Sequence, residues 1–168
     1  MKRIFGFLIL LTVLVFTLVG CGLIVERPEV KKGEFNFSVT YEINGETKTI
    51  SGVYVCEYDG IDRVLDGVDH REWKGYIKNG TTEEQIKLAT AEDSGIVELN
   101  LHFAPEYFMG EPYGDGDEPF SPSITVRLED EEGLSFENDA ALIAEVYGAR
   151  IISYEYDEPI ENSFGVFK

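Results

Sequence analysis

The stretch FNFSVTYEINGETKTI, residues 35–50, leaves this part of the chain few ways to fold. Phe35, Phe37, Val39, Tyr41 and Ile43 alternate with small or polar residues, so a strand puts all five on one face. Asn44-Gly45 follows at once. This pair between alternating runs is the strongest short-range hairpin signal, because a type I′ turn needs positive φ at both central positions. A two-residue loop pairs Ile43 with Glu46, Val39 with Ile50 and Phe37 with Gly52. The register then places Tyr54 and Cys56 on the aromatic face and Val53 and Val55 on the other, unless a bulge at Gly52 exchanges them. Either way GVYVCEY is apolar on both sides, as a central strand of a sandwich is.

Further along, Asp59-Gly60 and Asp66-Gly67 mark turns with a loop between them, and REWKGYIKNG gives another strand ending in a second Asn-Gly. TTEEQIKLAT can be read as a helix capped by Thr81 or as a strand; the run after the cap is short, which favours strand. In GIVELNLHF, Val97, Leu99, Leu101 and Phe103 alternate with Glu98, Asn100 and His102, so His102 faces outward. EYFMGEPYGDGDEPFSPS is the longest loop, and Ile124, Val126 and Leu128 mark the strand after it. Asn138 is placed to cap a helix through Tyr147, with Leu142, Ile143 and Val146 as its apolar stripe and Gly148 as the C′ residue. A last strand carries Ile152, Tyr154 and Tyr156 on one face and is ended by Pro159. One helix cannot supply the crossovers that parallel strands need. The expected fold is therefore all-β: an antiparallel β-sandwich or open barrel of about six or seven strands, with one short helix near the C-terminus.

The N-terminus reads differently. After Met1-Lys2-Arg3, residues 4–20 carry no charge and end in small residues, the layout of a signal segment. Leu18-Val19-Gly20-Cys21 resembles the bacterial lipobox. That resemblance implies cleavage before Cys21, a diacylglyceryl group on its thiol, and a protein anchored on the outer face of the bacterial cell membrane. The competing reading is an uncleaved membrane-spanning helix, which the length of the apolar run permits. Two acyl chains suffice for a stable anchor where one does not. The expected organisation is a signal peptide over 1–20, a lipidated N-terminus and tether over 21–34, and a single β-rich extracellular domain over 35–168. Fully extended, that tether could lift the domain roughly 40 Å.

The chain has 14 basic and 32 acidic residues, a net charge of −18, and loss of residues 1–20 would remove two bases and no acid. Such a surface is repelled by nucleic acid and by anionic headgroups, so the membrane is a partner only through the lipid. With Cys21 lipidated, Cys56 is left alone and no internal disulfide forms.

The residue types that carry chemistry are scattered. In PYGDGDEP, Asp115, Asp117 and Glu118 could hold calcium as an irregular loop site, the better reading being a solvated acidic loop. An EF-hand starting at Asp115 fails, since Phe120 stands where it needs Gly and Val126 where it needs Glu. His70, His102 and Cys56 lack ligand spacing for zinc, and no nucleophile motif is present, so no catalytic residue is assigned and no cofactor besides the lipid is expected. Tyr107, Phe108, Tyr113 and Phe120 interleave with acids in the long loop. They suit either a recognition surface for a sugar or a basic peptide, or aromatic caps on the end of the sandwich.

GEFNFSVTYEINGE, VCEYDG, REWKGYIKNG, PEYFMGE and YGARIISYEYDEPIENSF together resemble a set of small uncharacterised lipoproteins of Gram-positive Clostridia and relatives. The resemblance implies a cell-surface lipoprotein and brings no activity, ligand or site residue with it. The expected function is a lipid-anchored binding or scaffolding domain for an envelope or extracellular ligand. The alternatives are an envelope hydrolase whose carboxylates meet only in the fold, and a calcium-dependent adhesion module.

Overall fold

The computed structural model describes residues 27–63, 69–78, 85–90, 95–111, 118–130 and 133–165. Ten strands and two helices occur among them. The first sheet has the order β4 (Asp69–Ile77), β3 (Glu46–Arg63), β2 (Lys32–Ile43), β9 (Ala149–Tyr156). The second has the order β5 (Gln85–Thr90), β6 (Ile96–Phe103), β7 (Phe120–Asp130), β8 (Gly133–Glu137). Every pairing is antiparallel. A two-residue pairing joins β1 (Arg27–Pro28) to β10 (Phe164–Gly165). The helices are α1 (Pro105–Phe108) and α2 (Ala140–Tyr147).

The hairpin has the expected register, with Ile43 opposite Glu46, Val39 opposite Ile50 and Phe37 opposite Gly52. Asn44 (φ 52°) and Gly45 (φ 77°) both lie in the left-handed region that the turn demands. Gly52 makes no bulge, so Tyr54 and Cys56 share the buried face with Phe35, Phe37, Val39, Tyr41 and Ile43. Opposite them lie Val97, Leu99, Leu101 and Phe103 of β6 and Phe120, Ile124 and Val126 of β7. The two sheets thus close over one core as a β-sandwich.

That core is graded along its length. Where β2 begins it is aromatic: Phe103 stacks on Tyr54 (4.0 Å between centroids, 9° between planes) and on Phe120 (4.4 Å, 17°). Phe37 meets Phe103 edge-on at 5.1 Å, and Phe108 of α1 closes the end against Phe35 and Tyr54. Toward the hairpin, Val39, Ile43, Val97, Val126, Ile143 and Ala149 fill the space. Tyr54 fits because its cross-strand neighbourhood contains Gly75, where an added Cβ would stand 1.7 Å from the Tyr54 hydroxyl oxygen.

Five expectations are corrected. Residues 27–28 and 32–34, assigned to the tether, are strand, because β1 pairs with β10 and β2 starts at Lys32. Asp59-Gly60 makes no turn; β3 runs on to Arg63, absorbing Gly60 (φ 127°) as an irregularity in its pairing with β4. The cap of α2 is Asp139, one residue later than expected, whose carboxylate accepts from the N–H groups of Ala141 and Leu142. Of the supposed apolar stripe only Ile143 is buried, while Leu142 and Val146 are 42% and 59% exposed, because one turn of contact against the sandwich hides a single row. Ile152 likewise sits at a register shift in β9 and is exposed, whereas Tyr154 and Tyr156 face inward.

The C-terminal segment works as a strap. Asp157 accepts from the backbone N–H and side-chain amide of Asn36, and the Ile160 N–H donates to the Phe108 carbonyl. The Asn162 amide accepts from the Val30 N–H and donates to the carbonyls of Val30 and Met109. The strap binds the N-terminal segment, α1 and the end of β9 into one unit.

Gly75→Ala should cost about 3 kcal/mol in urea denaturation, since neither the β4 backbone nor the stacked Tyr54 can withdraw. An unchanged midpoint would show that Tyr54 has other room.

Candidate functional site

Two polar places at the aromatic end of the sandwich merit description as sites. The first lies where the β3–β4 hairpin reaches past the start of β2. Arg71 and Trp73, two residues apart on β4, present one face, and Trp73 packs on Tyr58 at 5.5 Å. After α1, Gly110 turns the chain in a left-handed conformation (φ 77°), where a Cβ would meet the Ile160 carbonyl oxygen at 2.7 Å. The turn delivers Glu111. Its carboxylate accepts from Arg71 Nε at 2.6 Å, Arg71 Nη2 at 3.3 Å and Trp73 Nε1 at 2.7 Å. The Arg71 guanidinium lies 4.2 Å from the centre of the Phe164 ring, so the strap covers it. Both partners are mostly buried, the setting in which removing one charge strands the other. Beside the pair runs an open groove of about 500 Å³ lined by Asp59, Arg71, Glu72, Trp73, Lys74 and Glu106. Both signs of charge alternate there.

The second place is the rim where β9 ends. Tyr154 and Tyr156 stand almost perpendicular to the buried Phe120 ring at 5.7 and 5.8 Å, and Tyr156 also meets Phe108. The Tyr154 hydroxyl donates to Glu118. That hydrogen bond is the main reason its phenol titrates above the ordinary range. The Tyr156 phenol is raised too, first by burial and then by the nearby Tyr107, Glu118 and Glu158. Tyr156 further borders a depression of about 330 Å³ that Asn36, Glu155 and Asp157 also line.

The residues expected to act are distributed as follows. Phe108 and Phe120 are 0% exposed and cannot touch a ligand; their rings are drawn into the aromatic core, which corrects their assignment to a recognition surface. Tyr107 is half-buried beside Phe108. Glu118 is exposed and accepts from Tyr154. Cys21, Tyr113, Asp115 and Asp117 lie outside the described residues. His70 and His102 are exposed on separate sheets, and Cys56 is fully buried. Among the described residues no three His, Cys, Asp or Glu converge to hold a metal ion, and no helix is long and apolar enough to cross a membrane. The Arg71–Glu111–Trp73 cluster was not expected, since no sequence spacing links residues 38 to 40 positions apart.

The chain matches no family model, no curated protein and no solved structure.

Burial, reinforced by the charge of Glu106, pushes the Cys56 thiol up to about 12. At pH 8 only on the order of one thiol in ten thousand is ionised, so native protein should resist iodoacetamide at Cys56 while urea-unfolded protein reacts, as mass spectrometry of its peptide would show. Equal labelling in both states would mean the site opens. The sign for stability follows: the folded state holds this proton more tightly, so stability falls as pH rises from 9.0 towards 12. Glu111→Gln should lower stability by about 2 kcal/mol in chemical denaturation by leaving Arg71 uncompensated.

Proposed function

We propose that this chain is a lipid-anchored protein of the outer face of the bacterial cell membrane, carrying a domain that binds and does not catalyse. The observation that carries the location is Leu18-Val19-Gly20-Cys21 at the end of an uncharged run with Met1-Lys2-Arg3 before it. The start of the first strand at Arg27 supports a short tether, since six residues span at most about 20 Å. Binding is favoured over catalysis by the state of the reactive groups: the Cys56 thiol is buried and protonated, and the Glu111 carboxylate is held by Arg71 and Trp73. The acidic surface keeps the domain soluble beside an anionic bilayer without docking flat on it.

Cys21→Ser should abolish labelling by radioactive fatty acid and leave residues 1–20 attached, read as the intact mass of the membrane-extracted protein. A variant that is still labelled and still trimmed would sink the anchor.

A further inference from the structure

The two sheets end in four edge strands, β4, β9, β5 and β8, and an unguarded edge offers its backbone to another chain. Three are guarded. β4 is crossed by Glu111, which ties Arg71 and Trp73 to the chain leaving α1. β9 carries a register shift in its pairing and has α2 packed on it. β5 also has a register shift, beside Lys87. β8, Gly-Leu-Ser-Phe-Glu, has no lysine or proline and pairs with β7 without a shift. No strand lies on its other side among the described residues, and no backbone hydrogen bond reaches it there. Leu134, Ser135 and Phe136 are exposed in succession, so both faces stay uncovered.

The face that β8 presents is apolar. Val126 and Leu128 of β7 point into the core, and residues opposite each other share a side. Leu134 and Phe136, opposite Glu129 and Arg127, therefore project from the outer face of the second sheet. They are 55% and 57% exposed, and Phe136 is the only exposed phenylalanine among the described residues; the others belong to the core or pack against it. The charge around them has one sign. Residues 129–132 are all acidic, Glu137 ends the strand, Asp139 follows it, and no Lys or Arg occurs between Arg127 and Arg150. Arg127 itself is taken up by Glu98 at 3.3 Å. We propose that β8 is a docking edge for an extended segment of another protein. The segment adds as a fifth strand of the second sheet, with apolar side chains beside Leu134 and Phe136 and basic ones facing the acids at both ends. Charge complementarity selects this occupant: a second copy of the chain would bring the same acids, and a net charge of −18, against its own. The inference names the partner of the binding domain proposed above and rests on that reading.

The test uses the full chain purified in a neutral polyoxyethylene detergent and a fluorescein-labelled peptide, Lys-Lys-Val-Thr-Val-Lys-Lys, followed by fluorescence anisotropy. Saturable binding is expected, weakening about tenfold between about 50 mM and about 500 mM salt. Leu134→Ser with Phe136→Ser, both at exposed positions, should weaken it roughly tenfold. Methylating the three central amide nitrogens of the peptide, which removes donors that an added strand needs, should weaken it about as much. Pentalysine, which lacks the valine pair, should bind at least about tenfold more weakly than the heptapeptide. Equally tight binding of pentalysine would overturn the proposal by reducing the attraction to diffuse charge. Absence of saturable binding, or unchanged binding by the methylated peptide or by the double variant, would overturn it as well. A dimer in sedimentation velocity that dissociates in the double variant would give the edge to a second copy, with the same result. If circular dichroism shows that the double variant does not fold, the methylated peptide, tested on the unaltered chain, decides alone. The measurement does not depend on Cys21, so its failure and the failure of the anchor are separate results.

Discussion

The stack of Tyr54, Phe103 and Phe120 is the contact on which the rest of the structure depends. Phe103 belongs to the second sheet and Tyr54 to the first, so their near-parallel rings at 4.0 Å set how the two sheets approach at this end. The stack needs Gly75, because any side chain there would occupy the space of the Tyr54 hydroxyl. It also positions what lies outside it. Phe120, the last ring of the stack, is the surface against which Tyr154 and Tyr156 stand, so the rim inherits its rigidity from the core.

Polar groups divide into those that hold the fold and those left over. The Arg71–Glu111–Trp73 cluster joins β4 to the chain leaving α1, and the strap crosses the same ground through Phe164 and Asn162. Each of these groups is satisfied by another part of the protein, as mostly buried polar groups must be. The cross-strand ion pairs of the first sheet are exposed and contribute little each, but they cancel charge locally.

How much of this was legible follows from the range of each interaction. Alternation and Asn44-Gly45 gave the hairpin, its register and the burial of Phe35 through Ile43, because turn chemistry and pleat act over neighbouring residues. The all-β class followed from the same signals. Position 60 misled because Asp-Gly fits a turn as well as a strand irregularity, and only the continued pairing of Ile61 with Arg71 decides between them. Tyr107 to Phe120 misled differently: composition shows aromatics among acids but not which rings point inward, and Phe108 and Phe120 do. The strap and the Glu111 cluster had no sequence signal at all. Asn162 reaches Val30 across 132 positions, and its hydrogen bonds exist only once both termini have been brought to the same end.

That meeting of the ends gives the molecule a direction. β2 starts at Lys32, and β9 runs antiparallel to it and finishes beside it, with Tyr156 opposite Phe37 and Asp157 bonded to Asn36. The aromatic end of the core, the strap and the carboxylate rim therefore all lie at the end where the chain enters the domain, and the Asn44-Gly45 turn lies at the other. A lipid on Cys21, as proposed, would put this end nearer the bilayer, because at most about 20 Å of chain stands between Cys21 and β1.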